Sequence, residues 1–295
     1  MADVVTRFAP SPTGPLHLGH AFAALFAEKQ ARAYGGRFVL RIEDIDPRRS
    51  KAEFETAIFD DLKWLELEWE EPVVRQSERM TAYAMALQTL AQKDLVYPCF
   101  CTRKEIEAEI KNAGHAPHPG EPGGDGSENA WVYPGTCRNL GKKERGEKFK
   151  AGTPYALRLD VLKAMVLAEH ENGGKPLTWL ESLSGLQACD PSPVGDIVLA
   201  RKDTPTSYHL AVVLDDHFQG VTLVTRGHDL LPSTHVHRVL QAALGLTVPR
   251  YQHHKMVTDE NGKYLSKRDE AHSLKQMRDD GLDAQAIRAM LDLRS

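Results

Sequence analysis

The sequence predicts an α/β protein built on a parallel sheet, and three observations carry that expectation. The run "VVTRFAP" (4–10) is β-rich, and "LGHAFAALFAEKQARAYGG" (18–36) places Phe22, Leu25 and Phe26 at helical spacing before Gly35-Gly36 stops it. "RFVLRIED" (37–44) then reads as a second strand. Strand, helix and strand within about 40 residues form a βαβ unit, which runs its strands parallel. The chain has 295 residues, more than one core needs, so two packed regions are expected, with one able to sit inside the other.

Further along, amphipathic helices are expected at Ser50–Leu65 and Arg79–Lys93, and "TRKE" (Thr102–Glu105) has the form of a capping box opening another. "GHAPHPGEPGGDG" (Gly114–Gly126) is Gly or Pro at 8 of 13 positions, cannot bury a core, and is expected to be a mobile loop. "YHLAVVLDD" (208–216) and "GVTLVTRG" (220–227) read as strands, and "STHVHRVLQAALG" as a helix stopped by Gly245. After "KYLSKRD", which ends at Asp269, 26 residues remain, enough for two short helices.

Lysine and arginine total 37 against 41 acidic residues, a net charge of −4, so any nucleic-acid contact has to come from local basic clusters. Three such clusters stand out: Arg48, Arg49 and Lys51; Lys142, Lys143 and Arg145; Lys263, Lys267 and Arg268. No apolar run approaches the ~20 residues of a membrane span, and the start "MADVVTRFAP" lacks the pattern of a secretory signal. A cytoplasmic protein is expected. Its cysteines, Cys99, Cys101, Cys137 and Cys189, then read as metal ligands or free thiols rather than a disulfide framework.

The most informative stretch is "PSPTGPLHLGH" (Pro10–His20). A helix N-terminus offers unpaired N–H groups and partial positive charge, which attract phosphate. His17 and His20 add donors on the same side, and Gly19 leaves room for a flat ring such as adenine. The arrangement suits stabilisation of a nucleotide while charge builds at its α-phosphorus.

His17-Leu18-Gly19-His20 resembles the nucleotide-binding signature of class I aminoacyl-tRNA synthetases. "RFAPSPTGPLHLGH", "LRIEDIDPRR", "VVRQSER" and "GVTLVTRGHDLL" resemble the glutamyl branch, in that order, and "YLSKR" (Tyr264–Arg268) resembles the second signature, the KMSKS loop, with Tyr264 where its first lysine usually stands. The resemblance implies a Rossmann-type catalytic sheet with an inserted zinc-containing α/β subdomain. It also implies that His17, Gly19, His20 and Lys267 bind ATP, with Mg²⁺ on the phosphates, and that His17, His20 and Lys267 are catalytic. For glutamate it implies Arg7, the run Phe8, Ala9, Pro10 and Ser11, then Glu43, Tyr208 and Arg226. The chemistry agrees: guanidinium forks suit two carboxylates, and Glu43 suits the α-ammonium.

Cys99-x-Cys101 with Cys137 suggests zinc, and ligand chemistry alone offers His115 or His118 as the fourth ligand. The resembling subgroup carries Tyr-x-x-x-Cys instead, which here is Tyr133 with Cys137 in "YPGTC". That subgroup, with a cysteine-rich insertion and no anticodon-binding domain, is the glutamyl-queuosine tRNA(Asp) synthetase family, which attaches glutamate to the queuosine base of tRNA(Asp). The resemblance divides the chain into a discontinuous catalytic unit (1–95 and 190–258), an RNA-facing zinc insertion (96–189), and a KMSKS-like loop with short helices (259–295), acting as a monomer. The alternatives are a truncated glutamyl-tRNA synthetase charging an acceptor end, and a non-catalytic paralogue binding glutamate or RNA.

Overall fold

The structure, a computed structural model, describes residues 3–112, 132–257 and 273–291. The first half contains β1 (Val5–Phe8), α1 (Leu18–Ala33), β2 (Arg37–Ile42), α2 (Ala52–Trp64), β3 (Glu70–Arg75), α3 (Met80–Gln92), β4 (Val96–Cys99), α4 (Arg103–Asn112) and α5 (Lys142–Lys150). Then follow β5 (Ala156–Leu159), α6 (Val161–Glu171), β6 (Thr178–Glu181), β7 (Gly185–Ala188), β8 (Val198–Ala200), α7 (Tyr208–Phe218), β9 (Leu223–Gly227), α8 (Leu231–Leu244), β10 (Arg250–His254), α9 (Leu274–Asp279) and α10 (Ala284–Met290).

The predicted βαβ unit forms: β1 pairs parallel with β2, Val5 opposite Arg37 and Phe8 opposite Leu40, and β2 pairs parallel with β3. A second sheet has the order β7-β6-β10-β9, with β9, β10 and β6 parallel and β7 returning antiparallel. The two sheets adjoin at β1 and β9, where the Thr222 N–H donates to the Val5 carbonyl (3.0 Å) and Arg7 reaches the Thr225 carbonyl (2.9 Å). Strand order therefore reverses direction between β1 and β9, the kind of switch point where α/β sheets bind ligands. A third sheet, β4-β5-β8, is antiparallel.

One expectation fails. Residues 208–216 form a helix, α7, not a strand. Its His209, Leu210, Ala211, Val212, Val213, Asp215 and Asp216 are all buried, so the helix has no polar face to print a helical period on the sequence. A short run rich in valine that is buried almost all round looks the same as a core strand. The other elements agree with their sequence signals. Thr102 and Glu105 make the reciprocal capping bonds (2.6 and 3.3 Å) at the start of α4, and Gly245 ends α8 at φ 67°, the left-handed conformation glycine tolerates. Residues 114–126 lie outside the described residues.

Two large cores hold these layers, and a small third one, of Tyr97, Cys99, Phe100, Tyr133 and Cys137, lies at the end of β4. One joins the inner face of α1 to β2 and α2 and takes in Leu274, Met277, Ile287 and Leu291 from the last two helices. The other lies under α3, α6, α7 and α8. At the turn from α1 into β2 the backbone passes so close to β1 that a Cβ on Gly36 would lie 2.0 Å from the Val4 carbonyl oxygen. Gly146 inside α5 has nothing within 4 Å of that position. Gly36→Ala is therefore expected to destabilise the protein by about 1–3 kcal/mol or more in urea unfolding. Gly146→Ala is expected to stabilise it by about 0.5–1 kcal/mol through helix propensity.

Candidate active site

His17 is the N-cap of α1 in extended geometry, and its Nδ1 accepts from the Gly19 N–H (3.1 Å). His20 reciprocates, its Nδ1 accepting from the His17 N–H (3.2 Å), which brings the two rings to 3.9 Å between centroids. With both Nδ1 atoms accepting, each neutral ring carries its proton on Nε2 as a donor. The histidines are thus a capping box as well as a donor pair. Gly19 has a reason the spacing did not show: a Cβ there would lie 3.0 Å from the His17 ring.

Arg7, on β1, is buried, and its Nε donates to Asp216 (3.0 Å). The same Asp216 Oδ1 accepts from Arg41 of β2 (2.8 Å), and Arg41 also reaches Glu43 (3.2 Å). Burial works to raise the Asp216 pKa, but Arg7 and Arg41 outweigh it and hold the carboxyl below its ordinary range. At Glu43 burial wins over the same two arginines, and the carboxyl is raised. The Glu43 N–H donates to the Pro10 carbonyl (2.9 Å), which ties the end of β2 to the Phe8-Ala9-Pro10-Ser11 segment leaving β1.

Arg226, on β9, is also buried, and its partners are of another kind. It donates to Thr234 (2.5 Å) and His237 Nδ1 (3.3 Å) on α8 and to His253 Nε2 (3.2 Å) on β10. His253 passes on a bond from Nδ1 to Glu181 (2.6 Å), and His237 one from Nε2 to His209 (3.1 Å). Burial first, and the Arg226 charge second, lower the His253 pKa to about 2 and hold His237 well below 6.5, so both rings are neutral near pH 7. Arg226 is oriented by neutral groups, whereas Arg7 is already paired with a carboxylate. Tyr208, at the start of α7, stands where these residues meet. Its phenol is raised by burial, reinforced by Glu43 and opposed by Arg226 and Arg7.

The cysteines gather elsewhere, at the end of β4. The sulfurs of Cys99, Cys101 and Cys137 lie within 4.8 Å of one another. Tyr133 Oη lies 3.4 Å from Cys99 Sγ and 3.5 Å from Cys101 Sγ, and accepts from the Cys137 N–H (2.8 Å). Tetrahedral zinc with bonds of about 2.3 Å places its sulfurs about 3.8 Å apart, so this donor set fits the ion. The Arg158 guanidinium lies 3.9 Å from the centre of the Tyr133 ring, stacked over its face, while burial pushes the phenol up. Cys189 stands apart, buried and pushed up to about 12 by that burial.

Of the residues nominated from sequence, the structure brings Arg7, Glu43, Tyr208 and Arg226 together, and separately the four at the cysteine cluster. Lys267, with Lys263, Tyr264 and Arg268, lies outside the described residues, as do His115 and His118. The segments that bracket them are described. His254 packs on Phe22 and Phe26 of α1 (4.9 and 5.2 Å), and Ser273 forms a bridge with His17. Sequence reading missed Arg41, Asp216, Thr234, His237, His253 and Glu181. The available signals were a charge inside an otherwise apolar strand and an Asp-Asp pair closing an apolar run.

Residues 3–295 match the description "tRNA synthetases class I (E and Q), catalytic domain", and the chain belongs to that family. Its fold is the class I tRNA synthetase catalytic fold, with mixed parallel and antiparallel sheets. The chain is 48% identical over 291 residues to a protein of Rhodobacter capsulatus named glutamyl-Q tRNA(Asp) synthetase, covering 98% of this chain and 100% of that one. It is 38% identical to the glutamate–tRNA ligase of Aquifex aeolicus, spanning 97% of this chain but 56% of the ligase. A glutamate tRNA ligase from Elizabethkingia meningosepticum, solved in complex with its amino acid, superposes with a TM-score of 0.70 at 29% identity, covering 95% of this chain and 53% of that one. Among the described residues no helix is long and apolar enough to cross a membrane.

The neutral histidines give stability a pH dependence whose sign can be tested. Unfolded, His253 takes up a proton below about pH 6.5; folded, it resists until about pH 2. The unfolded state therefore binds more protons between those values, and His253 subtracts stability as pH falls below 6.5. Asp61, raised to about 6 chiefly by burial, acts in the opposite direction as pH falls through that value. Comparison with a variant isolates the histidine. The Tm difference between wild type and His253→Gln should shift in favour of the variant from pH 7 to pH 5. A constant difference would mean that His253 is not held neutral.

Proposed function

We propose that this protein activates L-glutamate with ATP and transfers the glutamyl group to the queuosine base of tRNA(Asp). The observation that carries the first half is the cluster at the switch point, where two arginines, one carboxylate and one tyrosine converge. Glutamate presents the complement, two carboxylates and one ammonium. Arg226, held by neutral groups, takes the side-chain carboxylate, and Glu43 takes the α-ammonium. Arg7 and the backbone from Phe8 to Ser11 line the remainder, and Tyr208 closes it. Glutamine would leave the Arg226 charge without a counterion, which is a basis for rejecting it.

The reaction is in-line attack by the glutamate α-carboxylate on the ATP α-phosphorus. A carboxyl–phosphorus bond forms, the bond to the bridging oxygen breaks, and pyrophosphate leaves with the electron pair. The N-terminus of α1, with donors from His17 and His20, takes up the charge that builds on the phosphate, and Gly19 allows the approach. Lys267 serves the same charge from the KMSKS-like segment. Mg²⁺ would accompany the phosphates. A hydroxyl of the queuosine ring then attacks the adenylate carbonyl and AMP departs, with no covalent enzyme intermediate.

Support for the acceptor comes from likeness: the 48% relative bears the queuosine-specific name, against 38% for the conventional ligase. That second relative supports another reading, charging of a tRNA acceptor end, which the same experiment separates. The RNA-facing insertion is centred on the β4-β5-β8 sheet, while β6 and β7 join the sheet of β9 and β10. In that insertion Cys99, Cys101, Cys137 and Tyr133 would hold a zinc ion that stiffens the junction of β4 with residues 133–137. A cytoplasmic location goes with tRNA and ATP as substrates.

Labelled glutamate should enter the anticodon loop of queuosine-containing tRNA(Asp), even when the tRNA lacks its terminal adenosine. Label on the terminal adenosine of tRNA(Glu) would make it a conventional charging activity. Arg226→Ala should lose about 2–5 kcal/mol of transition-state stabilisation in glutamate kcat/KM, read by pyrophosphate exchange.

Elemental analysis should find about one zinc per chain, lost in Cys137→Ser. Retention of zinc in Tyr133→Phe would remove the phenol from the ligand set.

A further inference from the structure

A groove of about 430 Å³ opens on the antiparallel sheet, lined by Phe149, Thr153, Tyr155, Leu157, Arg201 and Lys202 among others. Phe149 and Tyr155 are 47% and 42% exposed, and they meet edge to face at 5.2 Å. Both rest on Phe100, which is buried (5.4 and 5.7 Å). Phe100 in turn sits between Cys99 and Cys101, its N–H donating to Cys137 Sγ (3.3 Å). Lys202 donates to the carbonyls of Phe100 (2.9 Å) and Cys101 (3.0 Å). The backbone of the cysteine cluster therefore fixes the floor of the groove and one of its cations. Single exposed aromatics need no explanation, but two adjoining ones on a rigid base form a recognition surface.

Charge narrows the partner. The chain as a whole is at −4, yet α5 carries Lys142, Lys143, Arg145, Lys148 and Lys150 against Glu144 and Glu147. Lys148 Nζ lies 5.6 Å from the Phe100 ring. Arg201 is offset by Asp203 (3.2 Å) and Asp46 (3.7 Å), so the positive field comes from α5 and Lys202. Exposed flat rings among lysines suit a single-stranded nucleic acid, whose bases stack while its phosphates meet the cations. Position agrees as well. Arg201–Asp46 ties the groove to the loop after β2, and the segment from Arg201 to Ser207 leads to α7, where Tyr208 lines the glutamate pocket.

We propose that this groove stacks an unpaired base of the RNA substrate on Phe149 and Tyr155, with neighbouring phosphates held by Lys150 and Lys202. The inference rests on the tRNA reading above and adds the place where the RNA loop is gripped. Both rings are about half exposed and belong to none of the cores, so truncating either removes no core residue and uncovers only part of Phe100. Phe149→Ala and Tyr155→Ala should bind queuosine-containing tRNA(Asp) about 5- to 150-fold more weakly, the size of one lost base–aromatic stack. Tyr155→Phe should bind like wild type. Lys150→Gln should instead lower the slope of log Kd against log salt by about one, which the aromatic variants leave unchanged. Glutamate-dependent pyrophosphate exchange without RNA should be unaltered in all four. Wild-type RNA affinity in both alanine variants, or competition by polyglutamate but not by single-stranded RNA, would overturn the groove assignment while exchange still supports glutamate activation. Absence of exchange in the wild-type protein would instead overturn the proposed function, and the RNA affinities would still decide the groove.

Discussion

Asp216 accepts from Arg7 on β1 and from Arg41 on β2 through a single oxygen, deep between the sheet and α7. Each of these charges would cost several kcal/mol to desolvate alone, so the three persist only as a set, with Glu43 as the second anion. The set does more than neutralise. It fixes the distance between the two parallel strands and the helix crossing them, and it points Arg7 at the switch point. The same helix is pinned on its other side by Asp215, which accepts from Gln76 (2.9 Å), Arg79 (2.6 Å) and Tyr83 (2.8 Å). Adjacent aspartates therefore clamp α7 to β1, β2 and the segment from Gln76 to Tyr83, and Tyr208 at its start is held wherever that clamp puts it.

Arg7 and Arg226 differ in a way that matters for the proposed glutamate site. Arg7 has its charge answered from within the protein, so it contributes geometry and hydrogen bonds more than net attraction. Arg226 is framed by a threonine and two imidazoles kept neutral by burial and by its own charge. Neutral partners orient a guanidinium without cancelling it, which leaves its field for an incoming anion. The cost is a polar network in the core, and its second tier, Glu181 and His209, satisfies the far ring nitrogens.

The helix start at His17 is held from two directions. Its own capping box fixes the first turn, and the end of the chain's described part returns to it, where the Leu274 N–H donates to the Leu16 carbonyl (2.8 Å). Arg278 on α9 meets the buried Asp61 of α2 (3.1 Å), and Leu274 and Ile287 enter the core beneath α1. Residues on both sides of the KMSKS-like segment are thereby attached near the first signature.

Local chemistry was enough to read the first βαβ unit, the capping box at Thr102, the glycine stop at Gly245, and the histidines at the start of α1. Each depends on residues a few positions apart, and Arg7, Glu43 and Arg226 came from motif resemblance rather than from such patterns. α7 was misread because a helix buried on nearly every side carries no periodic polar signal. The partners of the pocket were also illegible, since Arg41 and Asp216 lie 175 residues apart in sequence and Arg226 and His253 lie 27 apart. Whether a buried charge is paired, and with what, is decided by which strands and helices pack together. The sequence by itself thus determined which side chains were available for ATP, glutamate and metal chemistry. Only the tertiary structure decided which of them share a low-dielectric pocket, because burial and long-range contact set their charge states and aim.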